Sequence, residues 1–102
     1  MSDAPPSAAF EVQGDRSRVS GVLHFTTVTA LLQTGTDAIT NGHAAVIDLS
    51  GVADSDSSGL ALLIEWLSVA KAAGRTLRYE KIPAQLRQLA NLSDVDELLA
   101  GN

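Results

Sequence analysis

The chain has 102 residues, 45% of them hydrophobic, which reads as one folded domain with a single core and excludes a disordered chain. It has four aromatic residues and no cysteine, so aliphatic side chains must build the core, and disulfide frameworks, thiolate catalysis and thiolate metal sites are excluded. The net charge of −5, with no Lys or Arg between Arg18 and Lys71, excludes the basic footprint that nucleic acid requires.

Residues 1–7 contain Pro5 and Pro6 and lack the basic start and apolar run of a signal peptide, so they read as a short disordered leader. Residues 8–13 and 16–25 are strand-like, and Gly14-Asp15 between them is a two-residue hairpin signal. In the second run Val19, Gly21 and Leu23 alternate with Ser20, Val22 and His24. Thr26 or Thr27 can cap a helix through Val28, Leu31 and Leu32, which Gly35 is expected to interrupt and Asn41-Gly42 to close.

Residues 43–49 form a continuous apolar run that ends in a polar loop, as a buried central strand does in an α/β sheet. A helix follows from residue 60 to 73, with Leu60, Leu63, Ile64 and Leu67 at core spacing, and Gly74 stops it. Its longest strictly apolar run, 60–64, is far below the ~20 residues a membrane span needs, so membrane association is expected only through a partner. Residues 76–82 read as another strand. Pro83 fits the first turn of a third helix, with Leu86, Leu89 and Ala90 inward, and Ser93 with Asp96 resembles a capping box for a last helix through Leu98 and Leu99. The expected fold is a single α/β domain with a mixed four- to five-stranded sheet and about four helices packed against it.

Asp54-Ser55-Asp56-Ser57-Ser58-Gly59 lies at the strand-to-helix junction, where free backbone N–H groups and the positive end of the helix dipole favour negative charge. Asp56 or Ser57 is a sufficient helix cap, yet four capping residues in succession exceed that need. The alternative is a functional site, with Gly59 allowing close approach. Nucleophilic catalysis has little support, because Ser57 lacks a Gly-x-Ser-x-Gly context and no base is near it in sequence. His24 and His43 make no metal-ligand spacing, and the Walker lysine of a phosphate loop is missing. No enzyme activity, metal or cofactor is expected.

The helix after the motif carries a second stripe, Leu62, Trp66, Val69 and Ala73, with Glu65 beside it. Either the last helix covers it, or it is a docking face with Trp66 as the aromatic anchor. Five of the seven cations lie in Lys71, Arg75, Arg78, Lys81 and Arg87, as helix-end and solvated charges or as a footprint for a partner or an anionic membrane surface.

With strand, loop, serines and helix in this order, residues 8–100 resemble a STAS domain, the module of anti-sigma factor antagonists and sulfate-transporter tails. The likeness is carried by Val46-Ile47-Asp48-Leu49-Ser50-Gly51-Val52 and Asp56-Ser57-Ser58-Gly59-Leu60. It implies a STAS-type sheet, and in the antagonists the hydroxyl residue after the motif aspartate, here Ser57, is the phosphorylation site. In the second half, Gly59-Leu60-Ala61-Leu62-Leu63, Trp66, residues 70–75 and residues 82–87 resemble the MlaB type, the cytoplasmic STAS subunit of a Gram-negative phospholipid ABC transporter. That likeness implies a non-catalytic subunit that binds and supports the transporter ATPase in maintaining outer-membrane lipid asymmetry. It would be peripheral to the inner membrane through that partner. Asp54, Asp56, Ser57, Ser58, Gly59, Leu62, Trp66 and Val69 are the expected contact residues. The alternative implied by the resemblance is an anti-sigma factor antagonist, with a serine kinase that is also the anti-sigma factor as partner and Ser57 as switch.

Overall fold

The computed structural model describes residues 7–100. Strand β1 (Ala8–Gln13) and strand β2 (Arg16–Leu23) form an antiparallel hairpin. Its turn is Gly14-Asp15, with Gly14 at φ 72°, a conformation glycine adopts without steric cost. Strand β3 (Val46–Ser55) runs parallel to β2, and the short strand β4 (Arg78–Glu80) runs parallel to β3. The sheet order is β1-β2-β3-β4, a four-stranded mixed sheet.

Helix α1 (Phe25–Thr40) links β2 to β3, and helix α2 (Ser57–Ala72) links β3 to β4. Both crossovers step in the same direction across the sheet. Parallel crossovers share one hand, so the two helices belong on the same face, and there they pack against each other. Helix α3 (Ala84–Leu92) and the short helix α4 (Asp96–Ala100) complete that layer near β3 and β4. Val19, Leu23, Ile47, Leu49 and Tyr79 of the sheet meet Ile39, Leu63, Trp66 and Leu86 of the helices in one core. The opposite face of the sheet is charged: Arg16 and Arg78 both reach Glu80, at 2.6 and 3.0 Å.

Several elements depart from the sequence reading for identifiable reasons. The polar loop expected after residue 49 is the second half of β3, which stays in the ladder to Ser55 opposite Leu23 through two register shifts. Gly35 does not interrupt α1, because its lack of a side chain makes room for Trp66 across the helix pair. The cap of α1 is His24 rather than Thr26 or Thr27, although Thr27 supports it by accepting the His24 N–H at 3.1 Å. The strand expected over 76–82 contracts to three residues. Lys81, at φ 57°, turns the chain there, and Leu77 and Ile82 are buried outside the ladder. Pro83 is the cap of α3 rather than part of its first turn, Ser93 closes α3, and α4 begins only at Asp96. The expected leader, Ser7 apart, lies outside the described residues. The Ser7 carbonyl accepts the Val22 N–H at 2.9 Å.

Candidate docking site at the start of α2

The junction is held by its main chain. The Asp56 N–H donates to the Leu23 carbonyl at 3.0 Å, which fixes the end of β3 against β2. The Asp56 carboxylate then accepts the Ser58 N–H at 2.8 Å, and its carbonyl accepts the Gly59 N–H at 3.0 Å. Asp56 is therefore the helix cap, satisfying donors that the first turn of α2 leaves open. Ser55 is buried; its hydroxyl donates to the Asp56 carbonyl at 3.0 Å, and its N–H donates to Gln85 Oε1 of α3 at 3.1 Å.

Gly59 is buried because α2 approaches the sheet closely there. A Cβ would overlap the Ser55 hydroxyl and lie 2.9 Å from Leu23 Cβ. Asp54 bridges the starts of both long helices, its Oδ2 lying 2.9 Å from His24 Nε2. The hydrogen bond from His24, and then that from Gln85, holds its carboxyl below the usual carboxylate range. With these neighbours occupied in structure, Ser57 is the residue left exposed at the first helical position.

The structure thus brings Asp54, Asp56, Ser57 and Ser58 together as one surface, while Gly59, expected among the contact residues, is buried beneath it. It does not add Trp66 and Leu62 to it, and here the sequence reading is corrected. Trp66 is 0% exposed and Leu62 4%, while Val69 is half-buried. The Trp66 indole lies against Gly35 of α1, donates from Nε1 to the Leu32 carbonyl at 3.3 Å, and meets the Phe10 ring edge-on at 5.6 Å. The cover on this stripe is α1 with β1, not the last helix. The core face of α2 accordingly runs through Gly59, Leu60, Leu62, Leu63, Trp66 and Ala70; of the four residues expected there, Leu60 and Leu63 are buried, and Ile64 and Leu67 only half-buried.

A different surface lies where the docking face was expected. A groove of about 410 Å³ opens between α1 and α2, lined by Val28, Thr29, Leu32, Ser58, Ala61, Leu62 and Glu65. Phe25, one turn before Val28 on the same stripe, is 72% exposed. The spacing of Phe25, Val28 and Leu32 is visible in the sequence. The His24–Asp54 pair and the reach of Gln85 are not, since each joins residues 30 apart through the fold.

Both histidines have partners away from Ser57. His24 directs Nε2 at Asp54, and His43 places Nδ1 3.1 Å from the Gly14 carbonyl at the far end of the sheet. Among the described residues no cluster of three His, Asp or Glu side chains is placed to hold a metal. No helix there is long and apolar enough to cross a membrane. The arrangement suits recognition: an exposed hydroxyl with carboxylates beside it, next to an apolar groove.

Comparison with known proteins agrees with this architecture. The family model STAS_2, described as "Mlab, STAS domain", matches residues 8–100. No curated protein matches the chain in sequence. Among solved structures, the Bacillus cell fate determinant SpoIIAA in its phosphorylated form is similar with a TM-score of 0.63 and 18% identity, over 85% of each chain. The same anti-sigma factor antagonist in its unphosphorylated form gives 0.61 and 15%, over 92% of this chain and 100% of that one. The murine anion transporter Slc26a9 gives 0.52 and 16%, over 90% of this chain but only 18% of the transporter. At these identities the likeness is one of fold. The match of the family model across residues 8–100 establishes that the chain belongs to the STAS-domain family.

Proposed function

We propose, with membership of the STAS family as the premise, that this domain does no chemistry and works as a docking subunit of an inner-membrane phospholipid ABC transporter. The observation that carries the docking role is the exposed Ser57 beside an apolar groove between the starts of α1 and α2. The description of the matching family, Mlab, supports the choice of partner, the transporter's ATPase. In this reading Asp54, Asp56 and Glu65 form an acidic rim around Ser57 and the groove. By binding one arrangement of the ATPase more tightly than others, the domain shifts its population toward the productive one. It sits in the cytoplasm and reaches the membrane only through this partner, and the complex serves outer-membrane lipid asymmetry.

The test is a gentle-detergent purification of the tagged chain from its own host, with mass spectrometry of the partners and of the Ser57 peptide. The reading expects an ABC ATPase and permease with unmodified Ser57, and loss of the ATPase from Ser57→Arg. Undiminished ATPase with Ser57→Arg would refute it.

One observation favours a second reading. Ser57 is exposed directly after the capping aspartate, and the similar protein SpoIIAA exists in phosphorylated and unphosphorylated forms. As an anti-sigma factor antagonist, the chain would be phosphorylated on Ser57 by a serine kinase that is also the anti-sigma factor. The added charge of about −1.5 to −2 would repel an acidic partner. Ser57→Asp would then abolish binding and Ser57→Ala would lock it on, whereas the transporter reading expects Ser57→Asp to keep its ATPase.

A further inference from the structure

We infer that the groove between α1 and α2 takes an amphipathic helix of the partner protein, apolar along its buried side and flanked by Lys or Arg. The inference rests on the docking reading and specifies its chemistry.

Shape gives the first half. The lining residues recur at helical spacing on both walls, Val28, Thr29 and Leu32 against Ser58, Ala61 and Glu65, with buried Leu62 between them. A span of seven residues rises about 10.5 Å, or two helical turns, which matches the two turns of apolar side chains a third helix would insert. Ala61, exposed on α2, contributes only a methyl group to this lining. The exposed Phe25 extends the same stripe by another turn.

Charge gives the second half. Residues 19–70 hold five acidic residues, Asp37, Asp48, Asp54, Asp56 and Glu65, and no Lys or Arg. The remaining seven acidic residues are balanced by all seven Lys and Arg, so the whole net charge of −5 resides in this segment. Four of the five acids lie on α1, on α2 or at the junction that precedes α2, whose first cation is Lys71 in its last turn. A helix entering the groove meets apolar walls, with Asp56 and Asp54 toward the start of α2 and Glu65 two turns further along it. Cationic flanks complement that field, and acidic ones oppose it.

The probe is a synthetic helical peptide of about five turns, with leucines along one side and lysines beside them, and a control with glutamate in place of each lysine. Titrated into the isotope-labelled full chain, the lysine peptide should shift the backbone NMR signals of Val28–Leu32 and Ala61–Glu65, and the glutamate peptide should not. Ala61→Trp fills the groove from an exposed position, so its thermal unfolding should match the parent while peptide affinity falls at least about tenfold. Glu65→Lys should weaken the lysine peptide in the same direction.

Shifts centred on the charged sheet face, equal binding of both peptides, or full affinity in Ala61→Trp would each overturn the inference. So would dimerisation of the free chain, or binding to anionic lipid vesicles, lost with Ala61→Trp. The two levels separate in the host purification. If Ser57→Arg loses the ATPase and Ala61→Trp keeps it, the groove inference fails and the docking reading stands. If the unaltered chain captures no ATPase, the docking reading fails whatever the peptides do.

Discussion

Gly35→Ala is the substitution whose outcome depends most directly on how α1 meets α2. Gly35 lies inside α1, where alanine is better than glycine by about 1 kcal/mol on backbone grounds. Against that, the new Cβ would overlap the Trp66 ring at Cζ2 and Cε2 and lie 2.6 Å from Nε1. The ring cannot swing aside as a flexible chain end would, since it is fully buried, bonded to Leu32 and backed by Phe10. Overpacking of this kind costs roughly 1–3 kcal/mol, and a lost indole hydrogen bond adds about 1. The net expectation is a loss of about 1–3 kcal/mol, or a fall in Tm of roughly 5–20 °C for a domain of this size. Urea unfolding should show the same loss as a lower midpoint at unchanged slope. In a Trp66→Phe background the smaller ring leaves room, so Gly35→Ala should cost less there than alone. If Gly35→Ala matched or exceeded the parent in stability, the close helix contact at Trp66 would be wrong.

Trp66→Ala should destabilise the fold by about 3–5 kcal/mol, a large share of a typical domain's stability, as read by urea titration; a native-like unfolding midpoint would contradict the burial of the indole. Asp56→Ala removes the cap of α2 and should cost about 0.5–2 kcal/mol in thermal or chemical unfolding, while Asp56→Asn should recover most of it. Acidification acts through Asp54, lowered by His24, and Glu80, lowered by Arg16. Because their folded values lie below the ordinary 3.8 and 4.5, their stabilisation is complete above those values and is lost as pH falls through the folded ones. Tm should therefore hold steady down to about pH 5 and drop below it, with a shallower drop in Asp54→Asn. A Tm that rises on acidification would contradict the sign.

Much of the fold is legible because pattern and turn chemistry agree: Gly14-Asp15 marks the hairpin, the apolar run expected over 43–49 finds the first half of the central strand, which starts at Val46, and Gly42 and Gly74 mark the ends of the long helices. The second half of β3 is illegible because Gly51 to Ser55 has one large apolar residue, Val52, among small and polar ones, and its place in the ladder comes from β2 rather than from its own pattern. Gly35 misleads for a related reason. Local propensity marks it as a break, while its value is to Trp66, thirty-one residues on. The motif from Asp54 to Gly59 was readable as a site because it offers more capping residues than one helix start requires. Trp66 was misplaced because a helix with two apolar stripes does not reveal which one its neighbours cover. Here α1 and β1 cover Trp66, and the apolar surface beside the motif belongs jointly to Phe25, Val28 and Leu32 of α1 and Ala61 of α2.

The central claim is that this domain docks its partner across the starts of α1 and α2, and site-specific photocrosslinking in the living host tests it most directly. Benzoylphenylalanine at Phe25, an exposed aromatic position beside the groove, should link the chain to an ABC ATPase, and the same probe at exposed Ser50 should not. Adducts from Ser50 alone, or a soluble kinase captured from Phe25 with no ATPase, would contradict the account.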